Sequence, residues 1–149
     1  MTSFDRRLAG IRVGETLGPQ TVFVSASLVV AASIASRDFH RLHHDCDFAR
    51  QQGHPHMLLS GLASCGLAQR FVTDWAGRDV RVRRIRTRLG LPHYADETLV
   101  LKGVVTACAQ DSNLWIEITV TGTNARGQHL QSTIEVEPRA AVPPSGERL

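Results

Sequence analysis

A run of small and apolar residues between Met57 and Trp75, followed by Gly77, constrains the fold of this chain more than any other feature. Larger apolar residues recur in the run at helical spacing: Leu58, Leu62, Cys65 and Val72. Between them lie small residues: Gly61, Ala63, Ser64, Gly66 and Ala68. A helix that is small and apolar on most sides is buried on most sides, although each internal glycine costs it about 1 kcal/mol relative to alanine. We therefore expect one long central helix that a sheet approaches closely.

The rest of the chain supplies the strands of that sheet. A β-rich segment, Gln20–Val24, precedes a helix that Ser25 or Ser27 would cap. After Gly77, apolar alternation predicts four strands: Val80–Leu89 with a bulge at Arg83-Arg84, Thr98–Ala107, Leu114–Thr121, and His129–Glu137 after a hairpin turn at Asn124–Gly127. This order predicts one α+β domain over residues 1–138, an antiparallel sheet wrapped around one long central helix, and a flexible tail over residues 139–149. The open edge of so small a sheet favours a dimer in which two sheets join.

Composition narrows the setting and the partners of this domain. The net charge of +3 is mildly basic. Aromatic residues make up only 5% of the 149 residues, and this low content argues against a stacking surface for nucleic acid. No apolar run reaches the ~18 residues that span a bilayer, and the N-terminal MTSFDRRLAG lacks the apolar region of a secretory signal. Three scattered cysteines fit a reducing compartment better than a disulfide framework. We expect a cytoplasmic protein that binds neither nucleic acid nor membrane.

A loop rich in acids and imidazoles leads into the predicted central helix. It contains five of the seven histidines: His40, His43, His44, His54 and His56. A tight turn would bring Asp38 and His43 to one water molecule as a general base and a general acid. The plain alternative is that both are solvated surface groups. His40, His43 and His44 would also suit zinc, but without cysteine partners at ligand spacing we expect no metal.

The start of the predicted helix, at His56–Met57, is the second part of a candidate site. The first N–H groups of a helix have no intrahelical acceptor and carry partial positive charge. They would stabilise a thioester oxygen as it gains enolate charge. An acid/base loop and a helix N-terminus together suit the addition of water to a polarised double bond. Ser64, one turn beyond Ser60, would either contact the substrate or pack the helix.

Two motifs in this region resemble those of MaoC-like hot-dog hydratases. The family motif D-x-N-P-[L/I/V]-H, with Asp two and Ala six residues after the histidine, is similar to the run Asp38-Phe39-His40-Arg41-Leu42-His43 followed by Asp45 and Ala49. The family sequence H-G-M-L is similar to Pro55-His56-Met57-Leu58. The resemblance covers residues 18–137. It departs from the family at His40-Arg41, in place of Asn-Pro, and at Pro55-His56, in place of His-Gly.

The resemblance implies a hot-dog fold and the hydration of a trans-2-enoyl-CoA. It gives Asp38 the role of base and His43 that of acid/base, and it places the N–H group that stabilises the enolate near His56 or Met57. No cofactor is implied, because CoA is part of the substrate. The implied partner is either a second copy, in a homodimer, or a second hot-dog subunit, in a heteromer.

A narrower similarity concerns the small catalytic subunits of heteromeric enoyl-CoA hydratases of steroid side-chain degradation. The segments that carry it are Arg37-Asp38-Phe39, His43-His44-Asp45, Gln52-Gly53, the run from Gln69 to Gly77, and Arg88-Leu89-Gly90. This similarity implies a bulky steroid side-chain substrate and a larger hot-dog partner.

Two other functions stay open on the same fold. The first is a hot-dog thioesterase, although the long helix offers only Asp74 as an acid, near its far end. The second is a non-catalytic acyl-CoA-binding subunit. The arginine-rich strand Val80–Leu89 would meet CoA phosphates or a partner subunit, or it is a solvated strand face.

Overall fold

The computed structural model describes residues 10–77, 79–109 and 114–139, which form a five-stranded antiparallel sheet and a long helix packed on it. The strands are β1 (Thr16–Val24), β2 (Val80–Leu89), β3 (Glu97–Ala109), β4 (Trp115–Asn124) and β5 (Gly127–Pro138), in the order β1-β3-β4-β5-β2. The helices are α1 (Ala26–Ser36), α2 (Cys46–Gln51) and α3 (Gly61–Ala76), with a 3-10 turn at Arg41–His43. The predicted α+β class and its antiparallel sheet around one long helix are confirmed.

The central helix α3 begins later than the apolar spacing predicts. Its first residue is Gly61, and Ser60 caps it by accepting a hydrogen bond from the Ala63 N–H at 3.2 Å. A serine at this position satisfies an N–H group that has no partner within the helix. The predicted helix start at Met57 is therefore wrong, and the true start lies one turn further on.

The segment before the cap is extended and pairs with another part of the chain. The Leu59 N–H donates to His93 O at 2.9 Å, and the Ala95 N–H donates to Met57 O at 2.8 Å. Leu58 forms an isolated antiparallel bridge to Tyr94. These bonds satisfy backbone groups that a helix would have used, so the segment is fixed to the chain that precedes β3.

Helix α3 packs on the sheet through one buried face. Ala68 and Val72 have no exposed surface, and Phe71 is 5% exposed. The expected close approach is present, and a glycine of the sheet contributes to it: a Cβ at Gly103 would lie 3.2 Å from the Phe71 ring. Of the two glycines of the helix, Gly61 lies close to the sheet, because a Cβ there would be 3.0 Å from Leu89 Cδ1 of β2. A Cβ at Gly66 would meet no atom within 4 Å, so Gly66 does not contribute to the approach.

The strands keep the predicted order, and their bounds are mostly longer. β1 already begins at Thr16. The bulge predicted in β2 is confirmed by a register shift between Val82 and Arg84. The hairpin between β4 and β5 turns where expected, with Asn124 paired to Gly127.

The described residues cover most of the predicted domain. No helix among them is long and apolar enough to cross a membrane. Residues 1–9 of the predicted domain and residues 140–149 of the predicted tail lie outside the described residues.

Candidate active site

Asp38 is positioned by the C-terminal end of α1. Arg37 ends the helix in the left-handed conformation, with a φ of 56°, and so turns the chain back towards the helix. The Asp38 N–H then donates to Ser33 O at 3.0 Å, and the Ser33 hydroxyl donates to Asp38 O. Both backbone polar groups of Asp38 are bound to α1, which fixes the backbone from which the carboxylate projects.

His43 lies at the end of the 3-10 turn that follows. His40 caps this turn, because its Nδ1 accepts a hydrogen bond from the Leu42 N–H at 3.3 Å. Arg41 forms an ion pair with Asp45 at 2.7 Å. The departure from the family motif at His40-Arg41 thus leaves the loop braced by an imidazole cap and an ion pair.

Asp38 and His43 face each other across 3.4 Å, from Oδ2 to Nε2, with side chains 29% and 14% exposed. His43 Nδ1 lies 2.8 Å from Leu58 O. A carbonyl can only accept, so Nδ1 carries the proton of the neutral imidazole. Nε2 is then an acceptor that faces a second acceptor, the carboxylate. Two acceptors that converge in this way suit a molecule with two donor hydrogens, such as water.

His56 and Met57 lie just before Leu58 on the extended segment, not at a helix N-terminus. His56 Nδ1 accepts a hydrogen bond from the Met57 N–H at 2.8 Å, so that N–H is already occupied. His56 Nε2 lies 3.6 Å from Asp96 Oδ2. Within the described ranges, no acceptor binds the backbone N–H of His56. Of the two predicted donors, only the His56 N–H is open to a substrate.

Ser64 lies on the buried face of α3 with no exposed surface. Its Oγ is 2.9 Å from Ser60 O and 2.9 Å from His129 Nε2. These partners belong to the start of the helix and to β5, and neither is part of the acid/base loop. Of the two interpretations of Ser64, this geometry favours packing over substrate contact.

Two buried histidines outside the loop were not singled out from the sequence. His93 is 1% exposed, and its ring centroid lies 5.3 Å from that of His129. Burial, and then the charge of His129, lowers the pKa of His93 to about 4. Burial also lowers the pKa of His129. Both stand alone in their local sequence, so no motif or spacing distinguishes them from exposed histidines.

An apolar groove of about 370 Å³ runs between α1 and α3. Its walls are Leu28, Ala32 and Ala35 from α1, and Leu62, Ala63, Gly66 and Leu67 from α3. Ser36, two residues before Asp38, and Leu59, next to the carbonyl that binds His43, also line it. Neither Asp38 nor His43 lines the groove itself, but these two lining residues follow or precede the segments that hold the pair.

The alternatives to this pair find little support in the geometry. Among the described residues, no three histidine, cysteine, aspartate or glutamate side chains are placed to hold a metal ion. Asp74, the acid considered for a thioesterase, is 57% exposed and lies 3.4 Å from Arg70 on the surface of α3.

An antiparallel sheet around one long helix is the arrangement of the hot-dog class, and a carboxylate and an imidazole lie 3.4 Å apart at one end of it. No protein-family model matches the chain. It is 37% identical over 127 residues to the 3-oxo-4,17-pregnadiene-20-carboxyl-CoA hydratase beta subunit of Mycobacterium tuberculosis. The alignment covers 85% of this chain and 96% of that protein. The chain belongs to the MaoC-like hydratase family that includes this subunit.

Solved structures give the same fold. A chain of the ChsH1-ChsH2 complex from Mycobacterium tuberculosis matches with a TM-score of 0.80 at 37% identity, over 86% of this chain and 98% of that chain. The (R)-hydratase from A. caviae involved in PHA biosynthesis matches with a TM-score of 0.76 at 18% identity, over 87% of this chain and 98% of that chain. The predicted hot-dog fold is confirmed.

Proposed function

We propose that the chain adds water across the trans-2 double bond of an acyl-CoA thioester. The observation that carries this proposal is the convergence of two acceptors, Asp38 Oδ2 and His43 Nε2, at 3.4 Å. A water that donates one hydrogen to each would direct its oxygen lone pairs away from them, towards a substrate. The His43 ring is also oriented by a backbone carbonyl, Leu58 O, at 2.8 Å. A fixed orientation of this kind distinguishes the pair from an ordinary surface ion pair.

In the proposed reaction Asp38 is the base and His43 the acid/base partner. Asp38 takes one proton from the water as the water oxygen bonds to C3 of the enoyl group. The proton passes to His43 Nε2, which gives it to C2, and the new hydroxyl keeps the other hydrogen. One water is consumed, and both residues return to their starting protonation states. No cofactor takes part, because CoA is part of the substrate.

The thioester oxygen needs a donor while negative charge moves onto it. We assign this role to the His56 N–H, since the Met57 N–H already binds the His56 ring at 2.8 Å. The segment that follows is fixed by the bond from the Leu59 N–H to His93 O at 2.9 Å, so the donor is close to a rigid part of the chain. Preorganised donors of this kind typically contribute about a hundred- to a thousandfold in rate.

The groove between α1 and α3 is the proposed place for the acyl group. Its apolar lining and volume of about 370 Å³ suit a bulky hydrocarbon. Phe39, next to Asp38, and Leu62 of the groove are 64% and 59% exposed, so a bulky acyl group would remove large apolar surfaces from water. The beta subunit to which the chain is similar is named for a hydratase of a pregnadiene carboxyl-CoA. We therefore propose a steroid side-chain substrate.

A second hot-dog subunit is the proposed partner. The similarity to a chain of a two-protein complex supports a heteromer, and the outer edges of the five-stranded sheet, which pair with no other strand among the described residues, leave room for one. We place the assembly in the cytoplasm, where the three free thiols Cys46, Cys65 and Cys108 would stay reduced.

The pair is tested by Asp38→Asn and His43→Ala, with Asp47→Asn and His44→Ala as matched controls in the same loop. Asp47 is 87% exposed, and His44 is also exposed. We expect each change in the pair to lower the rate of enoyl-CoA hydration by about 10²- to 10⁴-fold, with an unchanged near-UV spectrum. The two control variants should hydrate at close to the normal rate. Near-normal rates in both pair variants would leave the proposal without a mechanism.

The substrate is tested on a series of enoyl-CoA esters, from crotonyl-CoA to a steroid side-chain ester. The chain is assayed alone and together with a co-expressed second hot-dog subunit. Hydration of the steroid ester in preference to crotonyl-CoA is the expected result. Release of free CoA from a saturated ester would instead identify a thioesterase, and binding without turnover would identify a non-catalytic subunit.

A further inference from the structure

The imidazole of His56 is held at both of its ring nitrogens. Its Nδ1 accepts a hydrogen bond from the Met57 N–H at 2.8 Å. A backbone N–H can only donate, so Nδ1 carries no proton and the proton of the neutral ring is on Nε2. Nε2 lies 3.6 Å from Asp96 Oδ2, and a negative charge at this distance favours a proton on that nitrogen. Both contacts therefore select the same tautomer of the ring.

Asp96 is itself fixed by the chain around it. Its N–H donates to Val24 O at 2.7 Å, and its Oδ1 accepts a hydrogen bond from the Ala26 N–H at 3.0 Å. Its backbone is left-handed, with a φ of 63°, a conformation in which aspartate and asparagine are enriched among residues other than glycine. One carboxylate oxygen is thus bound to the start of α1, and the other faces the His56 ring. The ring is therefore anchored to the helix whose far end positions Asp38.

The ring decides which backbone donor stays open beside it. Within the described ranges, no acceptor binds the His56 N–H, whereas the Met57 N–H is occupied by the ring. A residue without an acceptor here would leave both N–H groups open, and a thioester oxygen would then have two donors at different positions. Glycine, which stands here in the family sequence H-G-M-L, has no side chain to form this bond and has the largest backbone freedom.

One other donor faces the same ring nitrogen. Cys46 Sγ lies 3.9 Å from His56 Nδ1, but a thiol is a weak donor. The Met57 N–H is much closer, at 2.8 Å. The hydrogen bond from the backbone therefore determines the position of the ring.

We propose that the His56 imidazole, held by Asp96, is a positioning group: it occupies the Met57 N–H and so leaves the His56 N–H as the donor for the thioester oxygen. This inference rests on the proposed function and adds the side chains that select and fix that donor. The ring acts through the backbone and takes no part in the proton transfers. The departure from the family sequence at His56 then suits the reaction, because the added side chain is turned back onto its own backbone.

The first test replaces the ring by side chains with and without an acceptor. His56→Phe keeps a ring but cannot accept the Met57 N–H, whereas His56→Asn carries an oxygen at about the position of Nδ1. We expect His56→Phe to lower kcat for enoyl-CoA hydration by about tenfold or more and to change KM by less than about twofold, because a donor to the thioester oxygen matters most as charge develops there. His56→Asn should recover most of this loss. Loss through poorer packing would instead be larger for the smaller asparagine.

The matched control is His54→Phe, which makes the same replacement two residues earlier in the same segment. His54 Nδ1 lies 3.3 Å from the Tyr94 hydroxyl and accepts from no backbone N–H in the described part of the chain. Its kcat and KM should stay close to those of the wild type.

The second test removes the charge that faces the ring. Asp96→Asn keeps an oxygen for the Ala26 N–H and suits the left-handed backbone, but it no longer favours a proton on Nε2. With the proton on Nδ1, the ring cannot accept the Met57 N–H. We expect Asp96→Asn to lower kcat by about threefold or more when His56 is present, and to have little further effect in the His56→Phe background. Losses that multiply in the double variant would show that Asp96 does not act through the ring.

The third test does not depend on turnover. A saturated acyl-CoA, which offers the same thioester oxygen without a double bond, is added to the chain labelled with nitrogen-15. We expect the amide proton of His56 to move downfield on binding, and the amide proton of Met57 to move much less. In His56→Phe the Met57 amide should exchange with solvent faster than in the wild type. It should also move on binding as far as the amide of the replaced residue.

Each of three results would overturn the inference. The first is a normal kcat in His56→Phe, and the second is an equal loss in His54→Phe. The third is a Met57 amide that moves as far as the His56 amide in the wild type, or two amides that do not move at all. The proposed function fails separately: a chain that hydrates no enoyl-CoA but shows the expected amide shifts would refute that function and leave the role of the ring standing.

Discussion

His93 holds a titratable ring where its charged form is unfavourable. Its Nδ1 lies 3.3 Å from Asn124 Nδ2, and since an amide nitrogen only donates, Nδ1 accepts. The ring proton is then on Nε2, which has no hydrogen-bond partner within the described residues. Adding a second proton would break the bond from Asn124 and place a charge beside buried His129. Burial, and then the charge of His129, lower the pKa of His93 to about 4.

We expect the protein to lose stability as pH falls from about 6.5 to about 4. In the unfolded chain His93 binds a proton near its usual pKa of 6.5, whereas in the folded chain its pKa is about 4. The unfolded state therefore binds more protons in this window. Stability present above it falls by on the order of 3 kcal/mol on crossing it. The lowered pKa of His129 acts in the same direction. Urea unfolding across this pH range measures the loss.

The control for this prediction is a pair of histidine replacements. His93→Gln removes the titrating ring and should flatten the pH dependence, while His44→Gln, at an exposed position, should leave it unchanged. The Phe48 N–H lowers the pKa of Asp45 from 3.8, so this acid contributes only in more acidic solution. An unchanged slope in His93→Gln would place the titrating group elsewhere.

At the residue scale, the sequence predicted the candidate pair but not the groups that hold the two side chains in place. Asp38 and His43 stand at the spacing of a family motif, so a resemblance finds them. The group that orients the imidazole is Leu58 O, a backbone atom, and a backbone atom has no signature in sequence. The occupied Met57 N–H likewise follows from the ring of His56, which only coordinates place.

At the scale of elements, replacing either of two glycines by alanine, one in the helix and one in the sheet, should change the stability of the protein, in opposite directions. A Cβ at Gly66 meets no atom within 4 Å, so Gly66→Ala should stabilise by up to about 1 kcal/mol through helix propensity. A Cβ at Gly103 lies 3.2 Å from the Phe71 ring and 3.3 Å from Ile118 Cγ2, so Gly103→Ala should destabilise by about 1–3 kcal/mol. Thermal unfolding of both variants measures this, and changes of the same sign would contradict the packing described.

The groove between α1 and α3 gives an element-scale test of the proposed acyl site. Gly66 lines this groove, so Gly66→Phe would fill part of it. We expect kcat/KM to fall at least tenfold for a steroid side-chain enoyl-CoA and little for crotonyl-CoA, with Gly66→Ala as the matched control. Equal loss for both esters would place the bulky acyl group elsewhere.

Local patterns predicted which elements form, but they misplaced the starts of β1 and α3 by four residues each. Period-two alternation located the strands after Gly77, because one face of β3, β4 and β5 is buried in the core and one face of β2 packs partly buried against it. The start of α3 was placed at Met57 because Leu58 and Leu62 keep helical spacing, but the first belongs to an extended segment bonded to residues 93–95. Such long-range pairing overrides local spacing, and nothing within a short window of sequence reports it.

At the scale of the whole molecule, β1 and β2 are the outer strands of the sheet in the described part of the chain. Each carries an irregularity: β1 has Pro19 and a register shift between Leu17 and Gln20, and β2 has a register shift between Val82 and Arg84. Sequence alone predicted that the sheet would join another, but strand order decides which strands lie outermost, and it emerged only from the pairing β1-β3-β4-β5-β2. Which strands are available to a partner therefore follows from the topology of the sheet and not from local sequence.

Leu58 joins the two halves of the candidate site. Its N–H donates to Leu42 O at 2.9 Å and its carbonyl binds His43 at 2.8 Å, while Met57 and Leu59 are bonded on the other side to residues 93–95. The backbone beneath the proposed reaction is thus held by hydrogen bonds on both sides. The loop therefore cannot move at this point without the segment at residues 57–59. A change of substrate would have to alter the groove between α1 and α3 or the second subunit. The Asp38–His43 pair and the backbone that holds it would stay unchanged.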